Sequence, residues 1–240
     1  MNEQEWLACE DPDTAFKLTD SQTSSRKWRL FAVACCYRVR SQFGDFGWDL
    51  VELAEELIEG HVSAYEVARQ LEFTAITDVW LDGTHAGFDA ARCEGWNQLS
   101  DSEGRPAAPP PTITDHYSGW DAERTAKSCA SLVIDWSLAI DGGGTEEPAY
   151  IAERMAQLAL LRDIFGNPFR PVSLDSAWLT SDVLALARGI YDERAFDRMP
   201  ILADALQDAG CDNDAILTHC RGSEPHVRGC WVVDLLLGKA

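Results

Sequence analysis

The sequence predicts a mainly α protein: a multi-helix globular bundle with room for a few short strands. Three observations lead there. Apolar residues recur at spacings of three and four along most of the chain, these segments stop at Gly or Pro, and no alternating run joined by a tight-turn dipeptide marks a hairpin. With 240 residues, 46% of them hydrophobic, the chain can bury a sizeable core.

The elements follow in order. Ser24 or Ser25 caps a helix reaching about Phe43, with Trp28, Phe31, Cys35 and Val39 on one side. Leu50, Val51, Ala54, Leu57 and Ile58 repeat the pattern and Gly60 closes it. Ser63 to Glu66 reads as a capping box opening a helix through Ala68 and Leu71. Between Ser100 and Gly119, Pro106 and the Pro109–Pro111 run exclude helix. Helical spacing returns from Trp120 to Ile140 and ends at Gly142–Gly144, and the next helix runs from Glu146 to Phe165 before Gly166-Asn167-Pro168. Asp175 to Leu179 suggests a helical turn. Thr180 or Ser181 caps a helix to Tyr191, and Pro200 opens one that carries Leu202, Ala205 and Leu206 inward to Gly210. Asp212 caps a short helix to Cys220, and Val227 to Leu237 forms a last buried helix. The strand candidates lie near Ile113 and Val172. The expected organisation is a helical region over 1–99, a Pro-rich loop or linker over 100–119, and a helical region over 120–240, or one continuous domain through all three.

Composition narrows the function classes. Forty acidic residues against 20 basic ones give a net charge of −20, a field that repels nucleic acid and anionic lipid and attracts basic proteins. No apolar run approaches the roughly 20 residues of a membrane span. The acidic opening, Met1 to Trp6, lacks the pattern of a secretion leader, so the eight cysteines are expected as reduced thiols in a cytoplasmic protein. No phosphate loop, dinucleotide fingerprint, H-E-x-x-H, G-x-S-x-G or calcium loop is present.

Three groups of residues carry chemistry. Cys211, His219, Cys220, His226 and Cys230 are the candidate metal ligands, because zinc takes four nitrogen or sulfur donors in a tetrahedron. A helix would put His226 and Cys230, four apart, on one face, whereas adjacent His219 and Cys220 do not easily point the same way. Without a metal, the cysteines read as small buried hydrophobes and the histidines as helix-end caps. Cys35 and Cys36 lie mid-helix in an apolar run and read as core. Asp234, within Trp231 to Leu237, needs a donor from elsewhere in the fold, since Arg228 is not on its helical face.

Several segments carry a resemblance. The opening Glu5 to Cys9 (EWLAC) and Arg26 to Cys36 (RKWRLFAVACC) resemble a family of uncharacterised paralogous proteins abundant in Planctomycetes. So do Leu160 to Pro171 (LLRDIFGNPFRP), Tyr191 to Asp197, Ile201 to Leu206, Gly210 to Asp212, His219 to Arg221 and His226 to Gly238 (HVRGCWVVDLLLG). The likeness covers the first 40 or so residues and roughly 158–239. It implies a bacterial cytoplasmic protein and brings no activity with it.

The functional expectation is a non-enzymatic, acidic helical interaction or regulatory protein, such as an inhibitor or immunity-type protein, with a protein partner that is basic and no cofactor. One alternative is a zinc-stabilised module built on the C-terminal Cys/His cluster. Another is an enzyme with its site near Asn167–Arg170 and Asp192–Arg198.

Overall fold

A computed structural model describes residues 2–19, 24–40, 45–62 and 147–239. Among these, every regular element is helical: α1 Glu3–Leu7, α2 Pro12–Thr19, α3 Ser25–Arg38, α4 Asp45–Glu59, α5 Glu147–Phe165, α6 Ser181–Glu193, α7 Met199–Asp208, α8 Asp214–Arg221 and α9 Trp231–Leu237. Short 3-10 turns cover Ser176–Trp178 and Phe196–Arg198. The mainly α expectation holds, and Val172 lies in irregular chain rather than a strand. The readings over 63–71, 100–119 and 120–140, and the strand candidate at Ile113, fall outside the described residues.

The chain divides into two compact units, Met1–Lys27 with Arg154–Ala240, and Trp28–Glu153. In the first unit, α6 packs on α7 and α9, and α8 packs on α7 and α9. Their inward stripes follow helical periodicity: Val183, Ala187 and Ile190 on α6, Met199, Leu202 and Leu206 on α7, Ile216 and Cys220 on α8, and Val232, Val233 and Leu236 on α9. Each large aliphatic side chain so buried contributes about 1.5–3 kcal/mol. Local chemistry sets the ends. Thr180 Oγ1 accepts from Val183 N at 3.3 Å, and Asn213 Oδ1 accepts from Ala215 N and Ile216 N. Asn213, not Asp212, therefore caps α8.

The N-terminal segment belongs to this unit. Asn2 and Glu5 form a reciprocal capping box at α1, and Trp6 is buried. Arg162 of α5 donates through Nη2 to the carbonyl oxygens of Trp6, Leu7 and Cys9, satisfying the end of α1. Asn167 donates to Glu3, and Arg154 pairs with Asp11.

In the second unit, α3 ends at Arg38, short of the Phe43 expected from spacing, and Cys35 and Cys36 are buried as expected. Tyr37 stacks edge-on to Trp48 with centroids 4.8 Å apart and donates its hydroxyl to the buried Glu55. The same buried-acid logic applies to Glu153, which Arg38 grips through Nε and Nη2. Gly60 follows α4 at φ +76°, the position predicted for it. Among the described residues, no helix is long and apolar enough to cross a membrane.

Candidate functional site

The C-terminal Cys/His cluster comes together only in part, and around a residue the spacing argument did not include. Asp163, in the last turn of α5, meets His219, His226 and Cys230, with one donor atom of each within 4.8 Å of the others. Four segments supply them. Asp163 projects from α5, His219 from the last turn of α8, His226 from the irregular stretch after it, and Cys230 from the residue that precedes α9.

The expected helix from Val227 is corrected here, because α9 begins at Trp231. Residues 226–229 instead turn the chain, with Gly229 at φ +93° and Val227 N donating to Asp163 Oδ2 at 2.9 Å. His226 and Cys230 therefore reach the same place through a loop and not along one helical face. Cys211 and Cys220 are not in the group. Both are buried in the apolar core of α6 to α9, where they serve as small hydrophobes. On α8, His219 faces the cluster while its neighbour Cys220 faces that core.

Asp163 Oδ1 lies 2.7 Å from His226 Nδ1 and 3.2 Å from His219 Nε2. His219 Nε2 lies 3.2 Å from Cys230 Sγ, and His226 Nδ1 lies 3.9 Å from the same sulfur. The imidazoles meet edge to face with centroids 4.7 Å apart, and the Trp231 ring lies 5.1 Å from that of His219. Asp163 and Cys230 are buried, and only His219 retains appreciable exposure, at 18% of its side chain.

Electrostatics follow from this enclosure. Burial opposes ionisation of Asp163, yet hydrogen bonding to His219 and His226 holds its carboxyl below the usual carboxylate range. Burial, reinforced by the Asp163 carboxylate, pushes the Cys230 thiol well above its ordinary range. The Cys220 thiol is pushed up to about 12, chiefly by burial and then by Asp163.

Such a thiol is a poor nucleophile. Geometry points the same way. In a Cys–His–Asp relay the thiol and the carboxylate address opposite ring nitrogens, whereas here both face His219 Nε2, and both face His226 Nδ1. Two nitrogens, one carboxylate oxygen and one sulfur converging on a common centre can hold a cation.

No protein-family model, curated protein or solved structure matches this chain. The site's meaning rests on its own chemistry. Asp163 was missed because it lies 63 residues before His226, where no spacing rule reaches. The available signal was a carboxylate on a helical turn shared with Leu160, Leu161, Ile164 and Phe165, a setting that demands a partner.

Asp234 has the structural partner its position required. Arg26 Nη1 donates to its Oδ2 at 2.6 Å, and Arg26 Nη2 donates to Tyr191 Oη at 2.6 Å. The enzyme alternative placed its site elsewhere, at Asn167–Arg170 and Asp192–Arg198. There, Asn167 and Arg170 bind Glu3, Asp192 and Glu193 are exposed, and Arg198 pairs with Glu193.

Proposed function

We propose that this chain is a non-enzymatic helical interaction protein that binds a basic protein partner, in the manner of an inhibitor or immunity-type protein. We place it in a bacterial cytoplasm, as a member of the Planctomycete paralogue family that its motifs resemble. One observation carries the reading: the outer face of α7 presents Ile201, 56% exposed, in line with exposed Asp204 and Asp208 at spacings of three and seven. The exposed acids continue through Asp212 and Asp214 into α8, and the facing cation, Arg221, is engaged by Asp204 and Gln207. An accessible aliphatic side chain in line with carboxylates on one helix face suits a cationic surface with a small apolar recess, where the charge steers encounter and the apolar contact slows release.

The test is co-purification from the native host at low salt, with wild-type protein and with the Asp204→Lys, Asp208→Lys double variant as baits. A basic protein retained by wild type and lost with the charge-reversed bait, or on raising salt to about 0.5 M, supports the reading. Equal recovery on both baits, or no specific protein on wild type, rejects it.

A further inference from the structure

We propose that Asp163, His219, His226 and Cys230 bind one zinc ion in a closed, four-coordinate site that pins α5 to the C-terminal segment. The ligand set differs from the one suggested by sequence: Asp163 enters, and Cys211 and Cys220 leave.

Distances support it first. Donors around a tetrahedral zinc, with bonds of about 2.0–2.3 Å, lie about 3.2–3.7 Å from one another. Four of the six separations here are 2.7, 3.2, 3.2 and 3.9 Å and all six lie within 4.8 Å, so side-chain rotations that move the donor atoms by about an ångström or less bring them onto one centre. The backbone already supplies the approach, from the C-terminal turns of α5 and α8 and from the turn before α9.

Donor chemistry selects the ion. Two imidazoles, a thiolate and a carboxylate suit zinc, while calcium and magnesium require shells of oxygen. The Val227 N–H holds Asp163 Oδ2, which orients Oδ1 toward the other donors as a single-atom ligand. A divalent cation balances one carboxylate and one thiolate, leaving a neutral assembly, which is the form that a buried site tolerates.

Hydrogen bonding alone serves the four groups less well. His219 Nε2 is equidistant from Asp163 Oδ1 and Cys230 Sγ, and one ring nitrogen cannot donate to the carboxylate and accept from the thiol together. A shared cation satisfies both contacts. His226 Nε2 is enclosed with no hydrogen-bond partner among the described residues, so the polar fixation of that ring comes from its Nδ1 side, where the donors converge. The Zn–S bond forms as the thiol proton passes to solvent, so uptake releases a proton. Protein atoms fill all four positions, and the ion braces the fold without activating water.

The experiment uses the full chain. Protein purified without chelator and dialysed against zinc is expected to retain one equivalent by elemental analysis, and a chelator is expected to lower its melting temperature. Replacing zinc by cobalt(II) is expected to give visible bands of tetrahedral strength with a thiolate-to-cobalt charge-transfer band. Cys230→Ser should abolish the charge-transfer band and Asp163→Asn should weaken metal retention at least tenfold, while Cys211→Ala should leave both intact. Less than about a tenth of an equivalent of zinc in the wild-type chain overturns the site. So does a cobalt spectrum without thiolate character, or one abolished by Cys211→Ala and preserved in Cys230→Ser. The wild-type spectrum needs no variant and decides the matter even if a substitution prevents folding.

Discussion

Arg162 and Asp163 are neighbours in the chain whose side chains hold different segments of the same unit. Arg162 Nη2 donates to the carbonyl oxygens of Trp6 at 2.8 Å and Cys9 at 2.9 Å, while Asp163 Oδ2 accepts from Val227 N at 2.9 Å. The last turns of α5 thus tie the N-terminal segment to one side and the stretch before α9 to the other. Ile164 adds a third tie, its carbonyl accepting from Lys27 Nζ at 3.0 Å.

Removing the first tie should loosen the N-terminal segment before it affects the rest. Arg162→Met deletes charge-assisted bonds to α1 carbonyls, each worth about 1.5–3 kcal/mol. Hydrogen exchange is expected to accelerate over residues 2–9 while α6 to α9 keep their protection. Uniform acceleration across all of these helices would show that the segment is not a separable layer.

The Arg26–Asp234 pair should behave as a buried ion pair in which the loss of one partner costs more than the loss of both. Asp234→Leu alone is expected to lower stability to urea by about 3–5 kcal/mol, because Arg26 then loses its counter-charge. Adding Arg26→Met should restore part of that loss. Strictly additive losses in the double variant would mean that the two residues are not coupled.

Two glycines with the same backbone requirement should respond differently. Gly166 and Gly210 have φ of +70° and +88°, so alanine at either position is strained by about 1–2 kcal/mol. At Gly166 the added Cβ would also sit 3.2 Å from Trp231 Cγ, whereas at Gly210 it meets nothing within 4 Å. Chemical denaturation should therefore show Gly166→Ala as the costlier change. A Gly210→Ala loss equal to or greater than it would contradict the close Gly166–Trp231 packing.

Alkaline stability follows from the Cys220 thiol. Its pKa is raised on folding from 9.0 to about 12, so its contribution to stability is complete below pH 9 and is lost between about 9 and 12, where the unfolded thiol ionises first. Over that window the slope is about 1.4 kcal/mol per pH unit for this group. Urea midpoints at pH 8 and 10 should fall more steeply for wild type than for Cys220→Ala. Parallel falls would place the thiol in contact with solvent.

The helices were legible wherever a local rule specified them. Thr180 caps α6, Gly166 follows α5 and Gly60 follows α4 because capping and left-handed backbone depend on residues a few positions apart. The misreadings have tertiary causes. Periodicity alone extended the last helix back to Val227, but Gly229 sits at φ +93°, outside helical backbone, so the helix starts only at Trp231. α1 and α2 are too short to declare themselves and depend on Arg162 and Arg154 of α5 and on Asn167 just beyond its end.

The sequence by itself determined the helical class, most helix ends in the C-terminal part, the burial of Cys35 and Cys36, and the need of Asp234 for a distant donor. Tertiary structure decided which donor that was, 208 residues away. It also decided that Asp163 joins His219, His226 and Cys230 while Cys211 and Cys220 go to the apolar core. Periodicity and capping act over three or four residues and leave a trace in any short window. A cluster of buried polar groups is fixed by which helices pack together, and that choice is not written in spacing.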